Sequence, residues 1–229
     1  MIVPLTPESD WLAAFTGLPP FTPGTAPVVL LSPHPDDETL GAGALIASLA
    51  DRGQAVTVVA VTDGENAYTD NEGLATVRIR EQDEALRILS NGRAVMHRLH
   101  LTDSGVTPQT DRLIGALLPL VTTYTHLIAP WTGDFHPDHE ACGKAAVEVA
   151  RRTGARLSFY FFWTWHRGTP KTLHGLRLQA FPIEPSLLGR KLTALAAHRS
   201  QLQRETNDPI LPENLLAPAR RNFEVFAAA

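Results

Sequence analysis

The chain has 229 residues, 44% of them hydrophobic, with one cysteine and a net charge of −4, which suits one domain with a substantial core and excludes an intramolecular disulfide. An acidic balance without a long Lys/Arg cluster argues against nucleic acid as a partner. With no 18-residue apolar segment and no Lys or Arg before Arg52, neither a membrane span nor a signal peptide is expected, which leaves a cytoplasmic protein, monomeric or homo-oligomeric.

Residues 1–27 hold six prolines and read as an arm or cap, with a short helix from Pro7 to Phe15. Val28 to Ser32 reads as a strand and Leu40 to Arg52 as a helix. Ala55 to Val61 is a β-branched apolar run typical of a strand buried on both faces. Leu74 to Ser90 has the three- and four-residue spacing of an amphipathic helix. A strand over Ala94–Leu101, a helix over Asp111–Thr123, a strand over His126–Pro130 and a helix over Asp138–Arg152 follow. The aromatic run Leu157–Trp165 reads as a strand, Leu173–Phe181 as another, and Pro185–Arg204 as one long helix. The last 25 residues, with Pro209, Pro212 and Pro218, read as irregular. Strand and helix alternating in this way give one α/β domain over residues 28–229, with a Rossmann-like, mainly parallel sheet and helices on both faces.

Ligands bind beyond the carboxyl ends of strands in such sheets. The sequence places four polar loops there. Pro33-His34-Pro35-Asp36-Asp37-Glu38 follows the first strand, Thr62 to Asn66 the second, Thr102-Asp103-Ser104 the third and His136-Pro137-Asp138-His139 the fourth. One imidazole and three carboxylates crowded into the first loop repel one another unless a cation joins them. A catalytic zinc takes three His or carboxylate ligands, which His34, one of Asp36 or Asp37, and one of His136 or His139 could supply. A carboxylate left over could act as general base. Pro137 predicts a helix start with His136 at its cap, and His136 and His139 share one face of the opening turn. Glu38 reads as a supporting residue rather than a catalytic one, and Cys142 as a small buried helix residue. Gly41-x-Gly43 lacks the third glycine of a dinucleotide loop, so close helix packing explains it better. Arg78 could equally form an ion pair with Glu81 or Asp83. The Trp163 and Trp165 end of the aromatic run offers a surface for sugar stacking, with core packing favoured.

The two clusters together resemble the PIG-L/LmbE family of zinc-dependent N-acetylglucosaminide deacetylases, which includes the deacetylases of mycothiol and bacillithiol synthesis. Val61 to Glu65, Arg78-Ile79-Arg80-Glu81 and the Lys191–Gln201 segment are similar to further family motifs, and the resemblance covers residues 28–204. It implies one zinc per chain held by His34, Asp37 and His139, with Asp36 as general base. It also implies that His136 stabilises the oxyanion or protonates the leaving amine, with Asp138 tuning it, and that Arg78 contacts substrate. The implied partner is a small N-acylated amino sugar or its conjugate. The alternatives are an amidase or deacylase acting on a thiol conjugate, a lipid-linked sugar or an antibiotic amide, and, last, a catalytically inert sugar-binding protein.

Overall fold

The structure, a computed structural model, describes residues 3–69, 71–204 and 208–229. Its strands are β1 (Val28–Ser32), β2 (Val56–Thr62), β3 (Val95–Leu101), β4 (His126–Pro130), β5 (Arg156–Tyr160), β6 (Arg177–Pro182) and β7 (Phe223–Ala228). They form one sheet in the order β3-β2-β1-β4-β5-β7-β6. The pairings from β3 to β5 are parallel, and β7 runs antiparallel to both β5 and β6. The helices are α1 (Glu8–Ala14), α2 (Asp37–Asp51), α3 (Leu74–Ser90), α4 (Thr110–Leu117), α5 (Pro137–Thr153), α6 (Trp163–Arg167), α7 (Pro185–Leu195) and α8 (Arg199–Leu202). None is long and apolar enough to cross a membrane, among the described residues.

The unbroken apolar run of β1 follows from helices on both sides. Successive strand side chains point to opposite faces. Val29 and Leu31 pack with Leu113, Leu117, Ala145 and Val149 from α4 and α5. Val28 and Leu30 pack with Leu45, Leu49, Ala85, Leu89 and Ala194 from α2, α3 and α7. Because β1 lies between β2 and β4, the strand order reverses at this point, and a crevice opens beyond the carboxyl ends of β1 and β4.

Several expectations are corrected. The aromatic strand stops at Tyr160, and Trp163–Arg167 turns into α6. The helix begun at Asp111 stops at Leu117, two residues before Pro119, which cannot continue it. The long C-terminal helix breaks after Leu195, and α8 starts again at Arg199, where the Glu81 carboxylate accepts from Ser200 N at 2.9 Å. The first-loop helix begins at Asp37, not Leu40. The tail expected to be irregular holds β7, inserted between β5 and β6; residues 205–207 of that tail lie outside the described residues. The described part of the arm, residues 3–27, is packed down: Trp11 is buried and donates from Nε1 to Trp165 O at 3.1 Å, and Phe21 stacks on Phe226.

His126, fully buried at the start of β4, gives the fold an acid sensitivity. Its Nε2 lies 2.9 Å from Ser158 Oγ and its Nδ1 3.3 Å from Pro23 O, a pairing made by the neutral ring. Burial, aided by Arg156, lowers its pKa from 6.5 to about 4. Above pH 6.5 folded and unfolded chains both hold it neutral; below, the unfolded chain takes up the proton first. Stability should therefore fall as pH drops from 6.5 towards 4, by up to about 3 kcal/mol from this group. Chemical denaturation across that range should show a slope that His126→Gln flattens.

Candidate metal centre and active site

The crevice is a cleft of about 620 Å³, partly open to solvent. One wall is polar, with Asn66, Arg78, Asp103 and Ser104; the other is apolar, with Phe162, Trp163, Ile210 and Leu211. His34, Asp36, Asp37 and His136 line its floor. Three residues around it hold positive φ without being glycine: Asp36 (143°), Ser104 (61°) and Phe135 (58°). Such strain persists only where the surroundings over-determine it.

Pro35 and Asp36 turn the chain sharply out of β1, so that Asp37 opens α2 and points back at the strand end. The Asp37 carboxylate is 2% exposed. Its Oδ2 lies 3.2 Å from His34 Nδ1 and 3.2 Å from His139 Nε2. His139 comes from the first turn of α5, which Pro137 starts and His136 caps, as the sequence predicted. On its other side His139 Nδ1 lies 2.8 Å from Asp134 Oδ2, which fixes a proton on Nδ1 and turns Nε2 towards Asp37. That Nε2 is fully buried and makes no hydrogen bond. A buried ring nitrogen facing a buried carboxylate oxygen needs a cation between them, either a proton or a metal ion shared with His34. The two distances from the Asp37 oxygen, about 3.2 Å each, match the edge of a tetrahedron with roughly 2.0 Å zinc–ligand distances.

The His34 ring is held from both ends. Its Nε2 lies 3.2 Å from Asp138 Oδ2 and 3.3 Å from Asp103 Oδ1, which places the proton on Nε2 and leaves Nδ1 for a ligand role. Asp138 in turn accepts from Ser104 N at 2.8 Å and Val106 N at 3.0 Å. Its carboxylate is thus directed at His34 rather than at His136; what it gives His136 is a backbone N–H to Nδ1, at 3.3 Å. Among the described residues, His34, His136 and His139 have ligand nitrogens all within 4.8 Å of one another, a group that does not include Asp37. His34, Asp103 and Asp138 form another. The charges behave as a crowd of acids and imidazoles should. Burial works to lower the His34 pKa, but Asp103, Asp138 and Asp37 hold it well above 6.5. Burial also opposes protonated His139, yet Asp37 and Asp134 raise it to about 9. Asp37, despite burial, is kept well below the usual carboxylate range by His139 and His34.

Asp36 stands one residue away, close enough for its carboxylate to feel the charges of Asp37 and His34. Burial pushes its pKa up to about 8 against the opposing pull of Arg78. Arg78 is itself buried and reaches the cleft from α3. It donates from Nη1 to Gly64 O at 2.9 Å and from Nη2 to Pro35 O at 3.0 Å and Asp36 Oδ2 at 3.4 Å. Arg78, expected to contact substrate, lines the cleft and also holds Asp36 and the two loops around it. Gly64 makes this possible: its φ is +66°, and a methyl group built on it would lie 2.1 Å from Arg78 Nη1. Gly64→Ala should therefore displace the guanidinium and, with it, Asp36. A shift of that kind is expected to lower turnover by about 100-fold in a chain whose circular dichroism stays native. Wild-type turnover in that variant would contradict the role given to Arg78.

A family model described as PIG-L: GlcNAc-PI de-N-acetylase matches residues 29–150, the span that contains every residue named in the two clusters and Arg78. The chain belongs to the PIG-L family. Among curated relatives, it is 28% identical over 180 residues to the uncharacterized deacetylase YaiS of Escherichia coli, covering 76% of this chain and 90% of that one. It is 30% identical over 138 residues to the diacetylchitobiose deacetylase of Thermococcus kodakarensis, covering 56% of this chain and 50% of that one. The solved N,N'-diacetylchitobiose deacetylase of Pyrococcus horikoshii superposes with a TM-score of 0.62 over 91% of this chain and 77% of that one; at 22% identity this likeness shows the shared fold.

Within this PIG-L site, two acids escaped the sequence reading. Asp134 is wholly buried and caps α6: its carboxylate accepts from Phe162, Trp163 and Thr164 N at 3.0–3.2 Å and from Thr164 Oγ at 2.6 Å, besides His139. Its signal was available, an acid in the strand-end loop two residues before His136. Asp103 sat in a loop already marked as polar; Asn66 N donates to it at 2.9 Å. Glu38 supports from beneath, accepting from Ser32 Oγ at 2.6 Å and Gln82 Nε2 at 3.0 Å. Cys142 lies buried in the core. Trp163 lines the cleft, and its ring also stacks on His136 at 5.8 Å and 19° and lies 4.3 Å from the Arg167 guanidinium. Trp165 is packed against Trp11 and Phe15.

Proposed function

We propose that the chain is a metal-dependent hydrolase that removes the N-acetyl group from an amino sugar or its conjugate, with one zinc held by His34, Asp37 and His139. The observation that carries this reading is the buried, hydrogen-bond-free Nε2 of His139, 3.2 Å from an Asp37 oxygen that His34 shares at the same distance. When bound, zinc would supply the positive charge that polarises the acyl carbonyl and makes water acidic near neutral pH.

The chain's own residues do the rest. Asp36, fixed by Arg78, takes the proton from the attacking water as the carbon–oxygen bond forms. His136 carries its exchangeable proton on Nε2, because Nδ1 accepts from the Asp138 backbone. That Nε2–H donates to the oxygen on which negative charge develops. Proton return to the amine nitrogen then accompanies carbon–nitrogen cleavage and leaves acetate and the free amine. Asp103, Asp134 and Asp138 keep His34 and His139 in the tautomers the site requires.

Release of free amine from a panel of N-acetylglucosaminides, with and without a chelator, tests this. Metal-dependent release from at least one member is expected; none from any member would overturn the reading. A second reading, a longer acyl group, is favoured by the apolar wall of Phe162, Trp163, Ile210 and Leu211, which is more surface than one methyl group covers. An N-butanoyl panel, turned over faster than the N-acetyl one, would select it.

A further inference from the structure

Between Gly41 and Gly43 the α2 helix breaks. Ala42 holds φ −147° and ψ 19°, outside the helical region, and no proline lies in the helix to force it. Side chains from two distant elements enter at the break. In an unbroken helix Ala44 N would donate to Leu40 O and Leu45 N to Gly41 O. Here both N–H groups donate to the Glu224 carboxylate of β7, at 2.8 and 2.9 Å. Leu40 O accepts from Lys191 Nζ of α7 at 3.0 Å. Lys191 and Glu224 meet each other at 2.7 Å and are 1% and 4% exposed. The ion pair is thus a wedge in the backbone ladder of α2.

The two glycines belong to the same joint. A methyl group built on Gly43 would lie 3.1 Å from Lys191 Cγ, and one on Gly41 would lie 2.2 Å from Tyr160 Cδ2. The Tyr160 hydroxyl in turn donates to Leu31 O, at the end of β1, at 2.9 Å. Net stability is a poor reason for such a pair, because apolar side chains of similar size hold a core as well. Direction is a better one. With Ala42 out of the helix, the opening turn and the body of α2 need not share one axis. The body packs on the sheet through Leu45 and Leu49. The opening turn begins at Asp37, and Asp36 O accepts from Thr39 N at 3.0 Å and Leu40 N at 2.9 Å.

We propose that the Lys191–Glu224 pair is a positioning device for the active site: by holding α2 broken at Ala42, it sets the direction of the opening turn and so places Asp36 and Asp37. Neither Lys191 nor Glu224 touches substrate or the reacting atoms. The effect on turnover rests on the deacetylase reading; the effect on the helix does not.

The test is Lys191→Met/Glu224→Gln, which removes both charges together while keeping side-chain bulk and one acceptor for the freed N–H groups. The double variant should melt near the wild type and keep its KM for N-acetylglucosaminides, but lose kcat by about 10–100-fold, as for a small misplacement of reacting groups. The amide hydrogens of Thr39 and Leu40, which bond to Asp36 O and not to the pair, should exchange about tenfold faster by NMR, with those of α3 unchanged. A pair that only stabilised the fold would lower the melting temperature and leave kcat per folded chain at the wild-type value, and that result would overturn the proposal. Wild-type exchange at Thr39 and Leu40 would overturn it as well. Should the double variant fail to fold, Glu224→Gln decides by the same two measurements. If the wild type releases amine from no substrate, the reaction assigned above fails, and the exchange rates alone decide on the pair.

Discussion

Asp36→Asn is expected to lower turnover by about 10²–10⁴-fold, the usual contribution of a positioned general base, with metal content unchanged. The two halves of that expectation have separate structural grounds. Asp36 lies outside the proposed ligand set of His34, Asp37 and His139, so its loss should take no ligand from a bound ion. Its carboxylate is buried at the cleft floor and pinned by Arg78, 3.4 Å away, on a backbone held at φ 143°. A carboxylate placed at that cost, beside the proposed water position, has no packing role that asparagine would fail to fill. Steady-state kinetics and metal analysis on the same preparation decide it. Turnover above about a tenth of wild type would remove Asp36 as the base, and loss of the metal would make it a ligand.

Asp134→Ala should have the broadest consequences of any single change. The carboxylate is fully buried and serves three backbone N–H groups, the Thr164 hydroxyl and His139 Nδ1 at once. Each buried donor left without an acceptor costs about 1–3 kcal/mol, so a loss of about 3–5 kcal/mol in unfolding free energy is expected even after some donors find water. The second consequence concerns the metal. Without an acceptor at Nδ1, His139 is free to move its proton to Nε2 and turn the wrong nitrogen outward. Zinc affinity should drop by about 10–100-fold, as for other outer partners of ligating histidines. Asp134→Asn keeps the shape and most of the cap, so it separates the two effects. Wild-type zinc affinity in Asp134→Asn, measured by competition with a chelating dye, would show that Asp134 does not orient a ligand.

How much was legible depended on whether the deciding partners were near in sequence. Val28–Leu31 announced a doubly covered strand because both faces of β1 are buried, and Leu74–Ser90 and His126–Pro130 carried unambiguous local patterns. The Pro137 start of α5 was readable because proline fixes the first helical turn. The aromatic run after Tyr160 was misread because its periodicity suits strand or helix alike. What turns it into α6 is the Asp134 carboxylate, some 30 residues earlier in the chain. Phe223–Ala228 was missed for a similar reason: it is a strand by virtue of the slot between β5 and β6, which no local pattern describes. At the site, the acids and imidazoles were all visible as candidates. Which oxygen faces which nitrogen was not, because Asp103, Asp134 and Asp138 choose their partners only when four strand ends converge. Arg78 shows the same limit, since its target, Asp36, lies in another loop.

The central claim is that His34, Asp37 and His139 hold one zinc ion. The direct measurement is zinc content per chain, by mass spectrometry of elements, after dialysis of wild type and His139→Ala against zinc and then against metal-free buffer. One zinc per wild-type chain and none retained by a folded His139→Ala chain is the expected result. Stoichiometric zinc in His139→Ala, or none in the wild type, would contradict it.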